Sequence, residues 1–192
     1  MIVMAVLSIA TIAVFAPRKG LRPNWRLFFM GAGFMLIETK SVVHLALLFG
    51  ATWMVNSIVF VAILLMILCS NLFVLLARPA RVWPYYALLL ASLAVAAAVP
   101  MNTFLNLPGS ARLVASTAVV FVPVFFAGIV FATAFRDSAN PDVDFASNIA
   151  GAMLGGLAES LSLVIGFKLL LVVAALFYAL SAMQPRAILR RD

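Results

Sequence analysis

Three ionisable side chains, Glu38, Lys40 and His44, lie within one apolar segment that runs from Leu27 to Phe49. The segment is long enough to cross a bilayer, which takes about 20 helical residues. A charged side chain near the centre of such a helix costs about 2.5–3.5 kcal/mol on insertion scales. We therefore expect these residues to face packed protein or a water-filled cavity, where they could hold ions, protons or a cationic substrate.

The helical period separates the three residues into two groups. Lys40 and His44 are four positions apart and share one face, whereas Glu38 points nearly to the opposite side. A self-contained pair between Glu38 and Lys40 is therefore not expected, and each needs a partner from another helix. Two interpretations stay open, a polar transport cavity or a buried polar network that locks the bundle with His44 as a satisfied core residue. Asn56, near the start of the next apolar segment, is included in the predicted buried polar site.

A stripe of small and polar residues marks a second helix. Its members recur at intervals of three, four, four and three, and so share one helical face: Asn148, Gly151, Gly155, Glu159 and Ser162. The GxxxG pattern within the stripe allows another helix to approach closely. One interpretation is that Glu159 meets Lys40 or lines a cavity shared with Glu38. The alternative is a packing seam in which Glu159 is capped or protonated.

The sequence offers little for catalysis or metal binding. It contains one cysteine, Cys69, and one histidine, His44, which excludes a zinc or iron–sulfur site built by this chain alone. No glycine-rich phosphate loop, His-Glu-x-x-His or Gly-x-Ser-x-Gly motif occurs. We therefore predict a chain that is not an enzyme by itself, with no catalytic residue, no metal and no cofactor.

Composition places the chain in a membrane. Hydrophobic residues make up 66% of the 192 residues and charged residues 10%, and the mean hydropathy is +1.20, whereas soluble domains carry about a quarter charged residues. The composition predicts an all-α, polytopic transmembrane helical bundle that forms a single domain over residues 1–192. The net charge of +7 does not indicate nucleic acid, because the cations lie at the ends of apolar segments, where they set topology.

Seven segments are predicted to span the membrane, joined by spacers too short for a soluble domain. They cover about 1–16, 26–49, 53–77, 83–99, 112–135, 146–165 and 168–184. The first lacks a basic n-region and a cleavage site, and two interpretations stay open: a retained span, or the tail of a span that is cut short.

If the chain has seven spans, most of its basic residues lie on the same side of the membrane. One side would hold Arg18, Lys19, Arg22, Arg26, Arg78, Arg81, Arg136, Arg186, Arg190 and Arg191. The other side would hold only Arg112 and Lys168. The positive-inside rule then predicts an N-terminus outside and a C-terminus in the cytoplasm.

Two stretches carry a resemblance to a known family. The first reads Gly31-Ala-Gly-Phe-Met-Leu-Ile-Glu-Thr-Lys-Ser41 and continues through Leu47-Leu-Phe-Gly-Ala-Thr-Trp-Met-Val-Asn56. The second reads Asn148-Ile-Ala-Gly-Ala-Met-Leu-Gly-Gly-Leu-Ala-Glu-Ser-Leu-Ser162. Both resemble the membrane region of bacterial spermidine-synthase-like integral membrane proteins, in which multi-span segments, some major-facilitator-like, are joined to an aminopropyltransferase-like domain. The resemblance implies the bacterial inner (cytoplasmic) membrane.

The soluble domain of that family, with its glycine-rich cofactor loop and acidic catalytic residues, has no counterpart in these 192 residues. The resemblance therefore implies no aminopropyltransferase activity here. Three functional classes remain, of which the first is a transport-like or substrate-channelling domain with Glu38, Lys40 and Glu159 lining a midplane site. The second is a structural or accessory subunit that scaffolds a larger membrane complex, and the third is a membrane anchor for a spermidine-synthase-like enzyme. Expected partners are the lipid bilayer and other membrane subunits or a soluble aminopropyltransferase-like domain, with no nucleic acid.

Overall fold

The computed structural model describes residue 6, residues 23–160 and residues 166–184. The described residues form seven helices and no strand, which confirms the all-α prediction. The helices are α1 (Trp25–Phe49), α2 (Trp53–Ala77), α3 (Trp83–Ala98), α4 (Met101–Leu105), α5 (Gly109–Arg136), α6 (Pro141–Glu159) and α7 (Phe167–Met183). The predicted first span, 1–16, lies outside the described residues except for residue 6, and so do the final residues of the predicted sixth span.

Helices α1, α2 and α5 are each long and apolar enough to cross a membrane, while α3 and α7 are apolar but shorter. These lengths and compositions indicate a membrane protein. They establish three candidate spans among the described residues, and the predicted total of seven stays a prediction.

Local chemistry explains where the helices begin and end. The Asn24 side chain accepts hydrogen bonds from the backbone N–H groups of Arg26 and Leu27 and thereby caps α1. Gly50 ends the same helix with φ of 100°, a conformation that glycine adopts without strain. Helix α5 begins at Gly109, three residues before the predicted boundary, because Pro108 stands at its N-cap. The short helix α4 lies within a spacer for which no helix was predicted.

Helix α1 lies at the centre of the bundle, against α6 and α7 and also against α5 and α2. The start of α1 contacts the start of α6, since the Asn24 side chain donates to Asp144 at 2.8 Å. These two helices therefore run parallel. Helix α7 runs antiparallel to α1, because Ser181 near its end donates to the Arg26 carbonyl at the start of α1, at 3.0 Å.

The close contact between the parallel helices α1 and α6 depends on glycines, which have no side chain to hold the two backbones apart. A Cβ added to Gly151 would overlap the backbone carbonyl of Phe28, and one added to Gly155 would lie 2.6 Å from the Ala32 carbonyl oxygen. From the other side, a Cβ on Gly31 would overlap the Asn148 carbonyl. The predicted GxxxG stripe thus packs inside the bundle against α1. Ser162, its last predicted member, lies outside the described residues.

Candidate functional site

Lys40 and His44 lie on one face of α1 and line the same small cavity. Its volume is about 20 Å³, and a cavity of roughly 10–15 Å³ on this measure is enough for one water molecule. The rest of the wall comes from α1, α3, α5 and α7: Ile37, Ser41, Leu93, Ala96, Val119, Val120, Pro123 and Leu171. Residues of four helices thus line a small cavity whose wall is mostly apolar apart from half-buried Lys40, buried Ser41 and buried His44.

His44 is buried and incompletely hydrogen-bonded. Its exposed fraction is 6%, and its Nε2 atom has no hydrogen-bond partner among the described residues. The planes of the His44 and Phe104 rings are nearly perpendicular, with 5.2 Å between the ring centroids; Phe104 lies in α4. An unsatisfied buried polar atom costs about 1–3 kcal/mol. His44 thus has one ring nitrogen without a partner among the described residues, and the interpretation of His44 as a satisfied core residue stays a prediction.

The cavity lies beside Pro123, which stands inside the continuous helix α5. Proline has no N–H, so the carbonyl of the residue four positions earlier, Val119, loses its helical donor. Val119 and Pro123 both line the cavity. By contrast, the hydroxyl of Ser41 is already used, since it donates to the Ile37 carbonyl at 2.7 Å. The groups left to interact within the cavity are the Lys40 ammonium, the His44 imidazole and the backbone of α5.

Glu159 is placed beside Thr39 and away from Lys40. The Thr39 hydroxyl donates to Glu159 Oε2 at 3.1 Å. The one ion pair within the described residues joins Arg136 and Asp137, at 3.0 Å. The predicted meeting of Glu159 with Lys40 is therefore wrong. The reason is geometric, because Thr39 and Lys40 are successive residues about 100° apart around α1, and α6 packs on the Thr39 face.

Glu38 and Asn56 belong to neither cluster. Glu38 is half-buried, makes no hydrogen bond within the described part of the chain, and lies one turn from Phe34 on the same face of α1. Asn56 stands in the first turn of α2, and its Oδ1 atom is buried without a partner among the described residues. The predicted polar site therefore divides into the Lys40–His44 cavity, the Thr39–Glu159 contact and two separate polar residues.

Sequence reasoning missed a polar network at the other end of α1. The Tyr86 and Ser181 hydroxyls are 2.8 Å apart, and the Arg26 guanidinium lies over the Tyr86 ring, 5.9 Å from its centroid. These residues come from three helices far apart in sequence. The spacing of residues within one segment could not have predicted this contact.

Comparisons with known proteins return nothing: no family model matches the chain, no curated protein is similar to it, and no solved structure matches its fold.

Proposed function

We propose that this chain is an integral membrane domain with a transport-like function, and that it moves protons through the Lys40–His44 cavity. The observation that carries the proposal is a buried histidine with an unpartnered Nε2, which lines one cavity together with a lysine and with a proline inside a neighbouring helix. Ionisable residues within membrane helices commonly mark proton relays and ion pathways.

The size of the cavity supports a proton over a larger substrate. A volume of about 20 Å³ accommodates a single water molecule and no metabolite. Lys40 and His44 both exchange protons, and one water could bridge them. The Lys40 charge also disfavours a second cation in the same space.

The proposal includes seven spans, with the N-terminus outside and the C-terminus in the cytoplasm of a bacterial inner membrane. The 25 residues of α1 cover about 37 Å at 1.5 Å per residue, more than the roughly 30 Å hydrocarbon core. Trp25 and Trp83 are exposed at one end of the bundle and Trp53 at the other, as in aromatic belts. Arg136 donates to the Pro79 carbonyl at 3.3 Å, which gathers basic residues of separate loops at one end.

We retain the resemblance to spermidine-synthase-like membrane proteins as part of the proposal. It rests on the two motifs alone, and described residues of both motifs, among them Gly31, Thr39, Gly155 and Glu159, take part in the contact between α1 and α6. The chain is proposed to be non-catalytic by itself.

A second candidate function is that of an accessory subunit in a larger complex. It is favoured by α2, in which only Val59, Ile63, Ser70 and Val74 are buried over 25 residues. The exposed side chains of this helix, among them Leu64, Leu68 and Leu75, are free to meet lipid or another subunit. The GxxxG stripe does not favour a scaffold, since α1 already covers it.

Proton flux into proteoliposomes tests the main proposal. Purified protein is reconstituted with a pH-sensitive dye inside, and a potassium diffusion potential drives proton entry. We expect uptake above that of empty liposomes, and a fall of at least about tenfold in Lys40→Met and in His44→Leu. Pro123→Ala restores the helical N–H to α5 and is expected to reduce flux as well.

A matched control separates a specific effect from damage to the bundle. Thr133→Val removes a buried hydroxyl that donates to its own helix at Ile129, away from the cavity. This variant should retain full flux. Uptake no faster than in empty liposomes, or chloride flux without proton flux, would contradict the proposal. Co-purification of stoichiometric membrane partners by the inactive protein would favour the accessory-subunit alternative.

A further inference from the structure

A second cavity, of about 200 Å³, lies nearer the start of α1. Its walls are rich in aromatic rings and include two carboxamides: Phe34, Phe131, Phe145, Tyr178, Asn71 and Asn148. These residues come from five helices. Because α1 contributes to it about 7–14 Å along its axis from Trp25, the cavity falls within the hydrocarbon layer if α1 spans the membrane.

The exposed residues of the cavity wall, Asn71 and Phe145, lie on α2 and α6, and we therefore place its opening towards the bilayer between these two helices. Helix α6 packs along α1, and Phe145 on α6 is 52% exposed. Asn71 on the facing side of the opening, in α2, is also exposed. On α2, Asn71 lies among exposed leucines, which include Leu68 and Leu72. A molecule dissolved in the bilayer could therefore enter this cavity without passing through water.

The two asparagines indicate that the occupant carries polar atoms. The Asn148 side chain donates one hydrogen bond to the Leu27 carbonyl at 3.1 Å, which leaves its amide oxygen free to accept. Asn71 makes no hydrogen bond among the described residues. A carboxamide facing hydrocarbon is costly unless it finds a hydrogen-bond partner. An acyl chain would leave the Asn148 amide oxygen and the whole Asn71 carboxamide without hydrogen-bond partners.

We propose that this cavity binds the ring end of a lipid-soluble molecule whose ring carries hydrogen-bonding oxygens, as a substituted benzoquinone does. An apolar cavity of about 150 Å³ is large enough for benzene, so about 200 Å³ holds a substituted ring. The aromatic walls stack on the ring, the Asn71 amide donates to a ring oxygen, and the hydrocarbon tail leaves through the opening between α2 and α6. This site is separate from the Lys40–His44 cavity, and its occupancy does not depend on proton transport.

Fluorescence quenching tests the proposal, with decyl-substituted benzoquinone as the probe. The full chain carrying Phe145→Trp, an exposed position on the rim that tolerates the larger ring, is placed in lipid nanodiscs. Quenching of the added tryptophan, measured against the unsubstituted protein, should saturate with probe concentration. Asn71→Leu on this background should weaken binding about tenfold, the loss expected for one hydrogen bond of about 1.4 kcal/mol.

The control is Ser57→Leu, which makes a similar polar-to-apolar change at an exposed position of α2 outside the cavity. It should leave the affinity unchanged. Quenching that rises without saturation, or an affinity that Asn71→Leu leaves intact, would overturn the proposal. A third outcome would also overturn the proposal: brominated phospholipid quenches the added tryptophan as strongly as the quinone does, and the quinone does not relieve that quenching. This result would show that the cavity is in ordinary contact with acyl chains.

Discussion

At the scale of single residues, Thr39 and Lys40 are neighbours in sequence with opposite surroundings. The Thr39 hydroxyl is hydrogen-bonded to Glu159 on α6. Lys40 instead lines a cavity enclosed by α3, α5 and α7 and makes no ion pair among the described residues. Lys40 is half-buried, and a charge withdrawn from water without a partner lowers stability. We attribute its presence to the proposed proton path, because function is a common reason for retaining a destabilising residue.

This attribution predicts that Lys40→Met stabilises the protein while it removes proton flux. Methionine keeps the length and flexibility of lysine without the charge. We expect a gain of about 1 kcal/mol or more in the free energy of unfolding, which corresponds to a rise of roughly 2–4 °C in melting temperature. Thermal unfolding in detergent measures the shift. A lower melting temperature would mean that Lys40 makes a stabilising contact, and the structural interpretation would then replace the functional one.

The contact between Thr39 and Glu159 predicts a coupling that Lys40 does not share. Thr39→Val should cost about 1 kcal/mol, because it removes the hydroxyl donor from a partly buried carboxylate. In a double-mutant cycle, Thr39→Val and Glu159→Ala should be clearly less than additive, whereas Lys40→Ala and Glu159→Ala should add within about 0.5 kcal/mol. Chemical or thermal unfolding supplies the four free energies of each cycle. Strong coupling between Lys40 and Glu159 would show that the two residues meet in the bilayer after all.

At the scale of helices, local sequence patterns predicted where helices form and which face packs closely, but they did not predict which distant residues meet. The six predicted segments that the structure describes all contain helices, because the length of an apolar run is a local property of the sequence; the first segment lies outside the described residues except for residue 6. The three-and-four spacing of Gly151 and Gly155 likewise marked a close-packing face. The identity of the helix on that face, and the separation of Glu159 from Lys40, depend on how helices rotate about their axes. That rotation is fixed by contacts between distant residues, which spacing alone does not encode.

Two glycines of α6 provide a matched test of the close contact with α1. Gly151→Ala introduces a Cβ into the Phe28 carbonyl, which has to move with its backbone, and we expect a loss of about 1–3 kcal/mol. Gly156→Ala places its Cβ where no heavy atom lies within 4 Å. It should be neutral or stabilise by up to about 1 kcal/mol, because alanine is the better helix former. Melting temperatures of the two variants decide the matter, and equal values would argue against the α1–α6 packing described above.

At the scale of the whole molecule, the helices alternate in direction around α1. Basic residues at the start of α1 and the end of α5 lie at one end of the bundle, as does the loop between α2 and α3 that Arg136 contacts. At the opposite end, Arg112 donates to the carbonyls of Leu105 and Leu107 and holds the loop that carries α4. An excess of cations at one end is the feature that sets orientation during insertion.

The orientation is tested by the accessibility of single cysteines to a membrane-impermeant maleimide. On a Cys69→Ser background, Ala139→Cys reports on the loop between α5 and α6, and Asn106→Cys reports on the opposite end; both positions are exposed. Intact cells with a permeabilised outer membrane should label the cysteine at 106 and not that at 139, and inverted inner-membrane vesicles should show the reverse. Labelling of both positions from one side would mean that α5 does not cross the membrane. A full reversal would preserve the bundle and overturn the orientation, so the proton path would then have to be drawn with His44 on the cytoplasmic side of Lys40.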